Sequence, residues 1–233
     1  MRISVVVFPG SNCDHDIAHV YGAVLKQKVS LVWHRDRDLQ RPDIVVIPGG
    51  FAHGDYLRTG ALAKLSPIMS EVVKFAESGG PVLGICNGFQ ILCESGLLPG
   101  VLLQNIQRRF LSRFVHVKIE RGDTAFTRGI APGHVVTCPI AHFEGNYFAP
   151  VETIAELEGE GRVVFRYSDA SGLVEPFNLE TNPNGAINAI AGITNKRRNV
   201  VGLMPHPERS AEVLVGGIGG DSGRCIFTGS IAA

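Results

Sequence analysis

The stretch that decides the fold is Val82-Leu83-Gly84-Ile85-Cys86-Asn87-Gly88-Phe89-Gln90. Its first four residues form an apolar run that predicts a strand buried on both faces, and the residues from Phe89 onward predict a helix. A reactive residue at such a strand-to-helix turn is strained, and small neighbours relieve the crowding. The pattern therefore predicts a nucleophile elbow at Cys86, with Gly84 and Gly88 providing the space.

Cys86 is the candidate nucleophile because it precedes the predicted helix. The positive end of the helix dipole favours a thiolate over a thiol, and the thiolate is the attacking species. The alternative is an inert buried cysteine after a core strand, since free cysteines are among the most buried residues. A single Gly-x-Cys-x-Gly pattern is too weak to distinguish between these two interpretations. The evidence has to come from the rest of the chain.

Composition limits the classes of protein. The 233 residues are 45% hydrophobic, which predicts one α/β domain over residues 1–233. The 22 basic and 22 acidic residues cancel, so no overall field would attract nucleic acid or an anionic membrane. We expect a cytoplasmic protein, because the sequence has no signal-peptide pattern and no membrane-length apolar stretch. The five cysteines are scattered and odd in number, so neither a disulfide nor a metal site is predicted.

Runs of β-branched residues alternate with amphipathic helices, which predicts a parallel sheet with helices on both faces. Shorter alternating runs late in the chain predict an added antiparallel portion. The fold class is therefore α/β, a three-layer sandwich around a central, mostly parallel sheet. The predicted strands span residues 3–8, 31–33, 44–47, 82–85, 114–119, 163–167 and 200–204, helices follow near Asp14 and Leu65, and a turn is predicted at 182–185.

Ligands of parallel sheets bind beyond the carboxyl ends of the strands, where the turns at 9–11 and 48–50 would meet Cys86. The backbone N–H groups of Gly50, Phe51 and Asn87 are candidate donors for an oxyanion hole. The alternative is that Pro-Gly-Gly at 48–50 forms an ordinary turn.

The last predicted strand leads into Pro205-His206-Pro207-Glu208-Arg209. A histidine between two prolines has a restricted backbone, and Glu208 is near enough to fix its tautomer. Cys86, His206 and Glu208 together predict a triad for acyl transfer, although an exposed Pro-His-Pro loop can also be only a loop. His142 and Glu144 resemble a second pair of a histidine base and an orienting carboxylate. However, no predicted strand ends next to them to carry them to the site.

These motifs resemble class I (triad-type) glutamine amidotransferases, whose hallmarks are a Gly-x-Cys-x-Gly-x-Gln elbow and a late His-x-Glu. Within that family, the chain is most similar to the glutaminase subunits of small, three-subunit phosphoribosylformylglycinamidine synthases. The stretches that carry this similarity are 8–14 (FPGSNCD), 48–51 (PGGF), 54–61 (GDYLRTGA), 84–90 (GICNGFQ) and 204–209 (MPHPER).

The resemblance implies a flavodoxin-like fold and hydrolysis of L-glutamine to glutamate through a Cys86 thioester. It also implies that His206 acts first as base and then as acid, and that Glu208 orients it. Gln90 and Gly49 would contact the substrate, with Gln90 at its α-amino-acid end.

The resemblance further implies a large synthetase subunit and a small accessory subunit as partners. The synthetase would use ATP, Mg and the released ammonia to convert formylglycinamide ribonucleotide to formylglycinamidine ribonucleotide in purine biosynthesis. No cofactor is expected on this chain, which has no phosphate-binding Gly-x-x-x-x-Gly-Lys loop. Residues 108–109 and 196–198 are basic and are either docking patches or solvated faces.

Two alternatives remain. One is a peptidase or glyoxalase-like hydrolase with a cysteine elbow; in these relatives histidine usually follows the cysteine, whereas Asn87 does so here. The other is a non-catalytic regulatory subunit that has kept the fold.

Overall fold

The computed structural model describes residues 1–231, which contain eleven strands in two sheets. The strands are β1 (Arg2–Val7), β2 (Lys28–Trp33), β3 (Ile44–Ile47), β4 (Val82–Ile85), β5 (Val101–Leu103), β6 (Leu111–Ile119), β7 (Val135–His142), β8 (Asn146–Phe148), β9 (Val163–Ser168), β10 (Ile190–Thr194) and β11 (Val200–Leu203). The helices are α1 (Asp14–His19), α2 (Pro67–Glu77), α3 (Asn87–Glu94), α4 (Val151–Gly159) and α5 (Arg224–Ile231).

The main sheet has nine strands in the order β2-β1-β3-β4-β11-β10-β9-β6-β7. The first five are parallel and the remaining four antiparallel, so the predicted mixed sheet is confirmed, and the antiparallel portion continues the parallel one. β3, β4 and β11 are buried at every residue, as expected for central strands covered on both faces. β5 and β8 form a separate antiparallel pair.

Two helices differ from prediction at their ends. The first helix begins at Asp14 as expected, but it is α-helical only to His19 and continues as a π-helical segment. Leu65 was predicted to pack on the core, yet it lies in a 3-10 turn before α2 and is 72% exposed. That prediction is wrong because α2 begins only at Pro67, whose fixed φ and missing N–H suit the first helical position.

The sequence analysis missed four strands, β5, β7, β8 and β10. Of these, β7 corrects the expectation that no strand delivers His142. The strand ends at His142, and Glu144 follows in the next turn. Pro139 interrupts the sequence pattern expected of a β-strand, because proline has no N–H to donate to a neighbouring strand. It is tolerated because β7 is the edge strand of the sheet. None of the helices in residues 1–231 combines the length and hydrophobicity needed to cross a bilayer.

Candidate active site

Cys86 lies at a strained elbow between β4 and α3. Its φ is +52° and its ψ is −107°, a conformation that side-chain-bearing residues rarely adopt, and its exposed fraction is 4%. A Cβ on Gly88 would overlap the Ile47 carbonyl oxygen, and a Cβ on Gly84 would lie 2.7 Å from the Gly88 oxygen. The two glycines therefore provide the space that the strained cysteine needs.

The pairing of β4 with β11 brings His206 to this elbow. The two strands are parallel, with Leu203 beside Ile85, so the segments that follow them leave the sheet side by side. A Cβ placed on Gly49 would lie 2.7 Å from His206 Cε1 and 3.4 Å from Cys86 Cβ. Gly49 thus lies against both residues with no room for a side chain, and the structure brings together His206 and Cys86 from distant parts of the chain.

Glu208 fixes the orientation of the His206 ring. Both side chains are buried, and His206 Nδ1 donates a hydrogen bond to Glu208 Oε1 at 2.6 Å. His206 Nε2 has no hydrogen-bond partner within residues 1–231. Burial lowers the pKa of His206, but the Glu208 carboxylate and the Cys86 sulfur reverse this effect and leave the pKa well above its usual value. The site thus favours an imidazolium beside the sulfur.

A pocket of about 130 Å³ opens onto Cys86. Gln90 and the loop after β7 line it, but Gly49 does not. Asn87 Oδ1 accepts a hydrogen bond from the Ala52 N–H at 3.0 Å, so its Nδ2 donates to Gln90 Oε1 at 2.9 Å. Gln90 Nε2 in turn donates to the Glu144 carbonyl at 2.6 Å. Gln90 therefore lies on the pocket wall with its amide already held by protein groups.

The predicted oxyanion donors separate into two groups. The Phe51 N–H donates to the Gly10 carbonyl at 2.8 Å, so its expected role is corrected: in this structure the donor is already used. No acceptor binds the Gly50 N–H within residues 1–231. The Asn87 N–H lies in the first turn of α3, where backbone donors have no acceptor inside the helix. Gly50 and Asn87 remain the candidate donors.

Cys13 is a second thiol beside the histidine, and the sequence analysis gave it no role. Its sulfur lies 3.8 Å from His206 Nδ1 and accepts a hydrogen bond from Arg209 Nη2 at 3.2 Å. Burial is the main reason why the pKa of the Cys13 thiol is raised, which disfavours its thiolate form. Ligand atoms of Cys13, His206 and Glu208 lie within 4.8 Å of one another, as a metal site would require, but the Arg209 guanidinium opposes a cation there.

Comparisons with known proteins agree on one family. The model of the CobB/CobQ-like glutamine amidotransferase domain matches residues 1–216. Phosphoribosylformylglycinamidine synthase subunit PurQ of Rubrobacter xylanophilus is 54% identical over 216 residues, and the match covers 93% of this chain and 92% of that protein. PurQ of Koribacter versatilis is 53% identical with the same coverage. A solved structure of PurLQS from Thermotoga maritima contains a chain that is 39% identical, with a TM-score of 0.84 and coverage of 99% and 97%.

Proposed function

The chain belongs to the CobB/CobQ-like glutamine amidotransferase family, and we infer that it is the glutaminase subunit of a phosphoribosylformylglycinamidine synthase. It hydrolyses glutamine and passes the ammonia to a synthetase subunit, which uses ATP to convert formylglycinamide ribonucleotide to formylglycinamidine ribonucleotide. The observation that carries this inference is the sequence identity to PurQ proteins, which is 53% and 54% over 93% of the chain. Cys86 in a pocket beside a buried His206–Glu208 pair supplies the chemistry.

The proposed mechanism uses the geometry of the elbow. The Cys86 thiolate attacks the amide carbon of glutamine, and the N–H groups of Gly50 and Asn87 bind the oxygen as it becomes negative. The C–N bond breaks when His206 gives its proton to the leaving nitrogen, which releases ammonia and leaves a thioester. His206 then takes a proton from water, whose oxygen attacks the thioester to release glutamate and the thiolate. Glu208 keeps the ring in one tautomer throughout.

Neither alternative function is favoured by the geometry. Asn87 occupies the position that carries histidine in peptidase-like relatives, and its amide is bound to Ala52 and Gln90, so it is no base. A purely regulatory subunit would not need a strained cysteine or a buried His206–Glu208 pair.

The proposal includes the partners. A large synthetase subunit and a small accessory subunit bind the chain, and the similarity to a chain in the Thermotoga maritima PurLQS structure supports this assembly. ATP and Mg belong to the synthetase. A single domain over residues 1–233 is supported by the nine-stranded sheet, to which both halves of the chain contribute. A cytoplasmic location is part of the proposal and fits the free state of all five cysteines.

The test is reconstitution with the synthetase and accessory subunits. We expect glutamine-dependent synthesis by the complex and little glutamate formation by the isolated chain, because uncoupled hydrolysis would waste glutamine. Cys86→Ala should abolish glutamine-dependent synthesis but keep ammonia-dependent synthesis. Cys93→Ala, the same change at a free cysteine in the helix that follows Cys86, should keep both. Loss of both activities in Cys86→Ala, or glutamine-dependent synthesis without Cys86, would contradict the proposal.

A further inference from the structure

The side chain of Asn87 is buried at the first residue of α3, and its amide is fully bound by protein groups. Its Oδ1 accepts a hydrogen bond from the Ala52 N–H at 3.0 Å. Its Nδ2 donates to Gln90 Oε1 at 2.9 Å and to Asp55 Oδ1 at 3.4 Å. A backbone N–H can only donate, so the bond to Ala52 fixes which way the amide points. No polar atom of this side chain is left to bind a ligand.

The segment that Asn87 holds is strained. We call residues 50–57 the Gly50 loop, because it begins at the candidate oxyanion donor. His53, Asp55 and Leu57 in this loop have φ values of +54°, +55° and +70°. Residues with side chains keep such conformations only where the surrounding structure requires them. Leu57 is 90% exposed, so apolar burial does not hold this part of the loop. Hydrogen bonds to neighbouring segments have to hold it instead.

These hydrogen bonds run in two directions. On one side the loop is bound to the turn after β1, where the Phe51 N–H donates to the Gly10 carbonyl at 2.8 Å and the His53 N–H donates to the Pro9 carbonyl at 2.6 Å. On the other side it is bound to the elbow. Within residues 1–231, every hydrogen bond between the Gly50 loop and α3 ends on the Asn87 side chain. The position of the Gly50 N–H relative to Cys86 therefore depends on this one amide.

Asn87 also fixes the amide of Gln90. Because Gln90 Oε1 accepts the hydrogen bond from Asn87, its Nε2 is the group that donates to the Glu144 carbonyl at 2.6 Å. Three hydrogen bonds thus run in one donor-to-acceptor direction, from the Ala52 N–H through Asn87 and Gln90 to Glu144. The bonds of such a chain polarise and strengthen one another. This chain connects the Gly50 loop with the turn after β7, and both segments line the pocket.

We propose that the side chain of Asn87 is a positioning residue, which holds the Gly50 N–H and the Gln90 amide in the orientation that the reaction at Cys86 requires. This proposal rests on the proposed function and deepens it. The side chain acts through the Gly50 loop and Gln90, and its role is separate from that of the Asn87 backbone N–H. A leucine of similar size keeps this N–H and the helix but forms none of the three bonds. Its loss should impair formation of the oxyanion and leave the Cys86 thiolate intact.

The first test measures the hydrogen bond itself, in the full chain and without any activity. In wild type, Asn87 Oδ1 protects the Ala52 amide from exchange with deuterium. In Asn87→Leu we expect this amide to exchange faster, on the order of 10-fold, when it is resolved by fragmentation mass spectrometry. Unchanged exchange of the Ala52 amide would overturn the proposal.

Asn178→Leu is the matched control for this test. Asn178 lies outside the pocket, where its Oδ1 accepts the Glu180 N–H at 3.0 Å and its Nδ2 donates to Glu175 at 2.9 Å. The variant therefore loses the same kinds of bond in another loop. It should leave both the exchange of the Ala52 amide and the hydrolysis of glutamine unchanged.

The second test separates the oxyanion from the thiolate in the reconstituted complex. Iodoacetamide alkylates Cys86 by displacement of iodide and forms no oxyanion, whereas glutamine hydrolysis needs both the thiolate and the oxyanion donors. We expect Asn87→Leu and Asn87→Ala to lower kcat for glutamine on the order of 10- to 100-fold. Alkylation of Cys86 should keep its wild-type rate, and so should ammonia-dependent synthesis.

Each other outcome has a distinct meaning. Equal losses in alkylation and hydrolysis would show that the variants disrupt the elbow as a whole, and a loss in Asn87→Ala alone would show an effect of volume. Either result would overturn the proposal, as would wild-type kcat in both variants. Failure of the proposed function gives a different result, in which the wild-type complex forms no glutamate although exchange of the Ala52 amide depends on Asn87.

Discussion

The Cys86 backbone N–H donates a hydrogen bond to the Leu203 carbonyl at 2.8 Å. This bond extends the parallel ladder between β4 and β11 by one step, to the point where both strands end. Because the two strands end side by side, the residues that follow them face the same crevice. This ladder of backbone hydrogen bonds joins the elbow to the His206 loop.

Glu208→Gln tests the orienting carboxylate. Glutamine can still accept the Nδ1 hydrogen bond, but it does not stabilise the imidazolium, so the pKa of His206 should fall. We expect kcat for glutamine hydrolysis to fall on the order of 10³-fold with little change in KM. Steady-state kinetics of the complex would measure this, with ammonia-dependent synthesis as the control. A variant with wild-type kcat would show that the carboxylate has no part in the chemistry.

Gly88→Ala tests the space beneath the elbow. The added methyl group would overlap the Ile47 carbonyl oxygen, which is backbone and cannot turn away. We expect a loss of about 3 kcal/mol in the free energy of unfolding, at the upper end of overpacking effects. Gly159→Ala, a helical glycine with open space around it, is the control and should not destabilise the protein. Urea denaturation would measure both variants, and equal stability of the two would contradict this view of the elbow.

His142 should make stability depend on pH. Its pKa is lowered to about 3 in the folded chain, so the unfolded chain binds the proton first as the pH falls. Stability is therefore lost on acidification, and between pH 7 and pH 5 this group should account for about 2 kcal/mol. The measurement is the difference in unfolding free energy between wild type and His142→Gln at the two pH values. A difference that does not change with pH would contradict a neutral buried ring.

Asp55 should set the acid limit of glutamine binding. Its pKa of about 6 is raised by burial and by Glu144, while His142 stays neutral over this range. An ionised carboxylate in the pocket attracts the ammonium group of glutamine, so we expect affinity to be complete above this pKa and to be lost as the pH falls through it. KM for glutamine should rise below about pH 6, and Asp55→Asn should have a high KM that no longer follows this titration. A wild-type KM that is constant from pH 7 to pH 5 would contradict this prediction.

Much of this fold could be predicted from local patterns in the sequence. β-branched runs and a helix after Cys86 were enough to predict the central strands, because fully buried strands need uninterrupted apolar residues. β7 was missed because Pro139 breaks its pattern, and only the position of the strand at the sheet edge explains why proline is allowed there.

The site was predicted less completely than the fold. Cys86 and the His206–Glu208 pair, which the structure places close together, could be proposed from the sequence because their neighbours, glycines and prolines, are informative locally. Asp55 and Glu144 carry no such local signal: their relation depends on two loops that meet only after folding. The same is true of Cys13, which approaches His206 through the turn after β1. Phe51 is the opposite case, a residue that the sequence singled out as an oxyanion donor. Only the structure reveals that its N–H is already bound to the Gly10 carbonyl.

The most direct test of the central claim is to identify the cysteine that a glutamine-derived chloroketone alkylates. Cys13 and Cys86 both lie beside His206, so the experiment has to distinguish these two thiols. Peptide mass spectrometry of the labelled complex should place the adduct on Cys86, and L-glutamine should protect it. An adduct on Cys13, or none on Cys86, would contradict the proposed nucleophile.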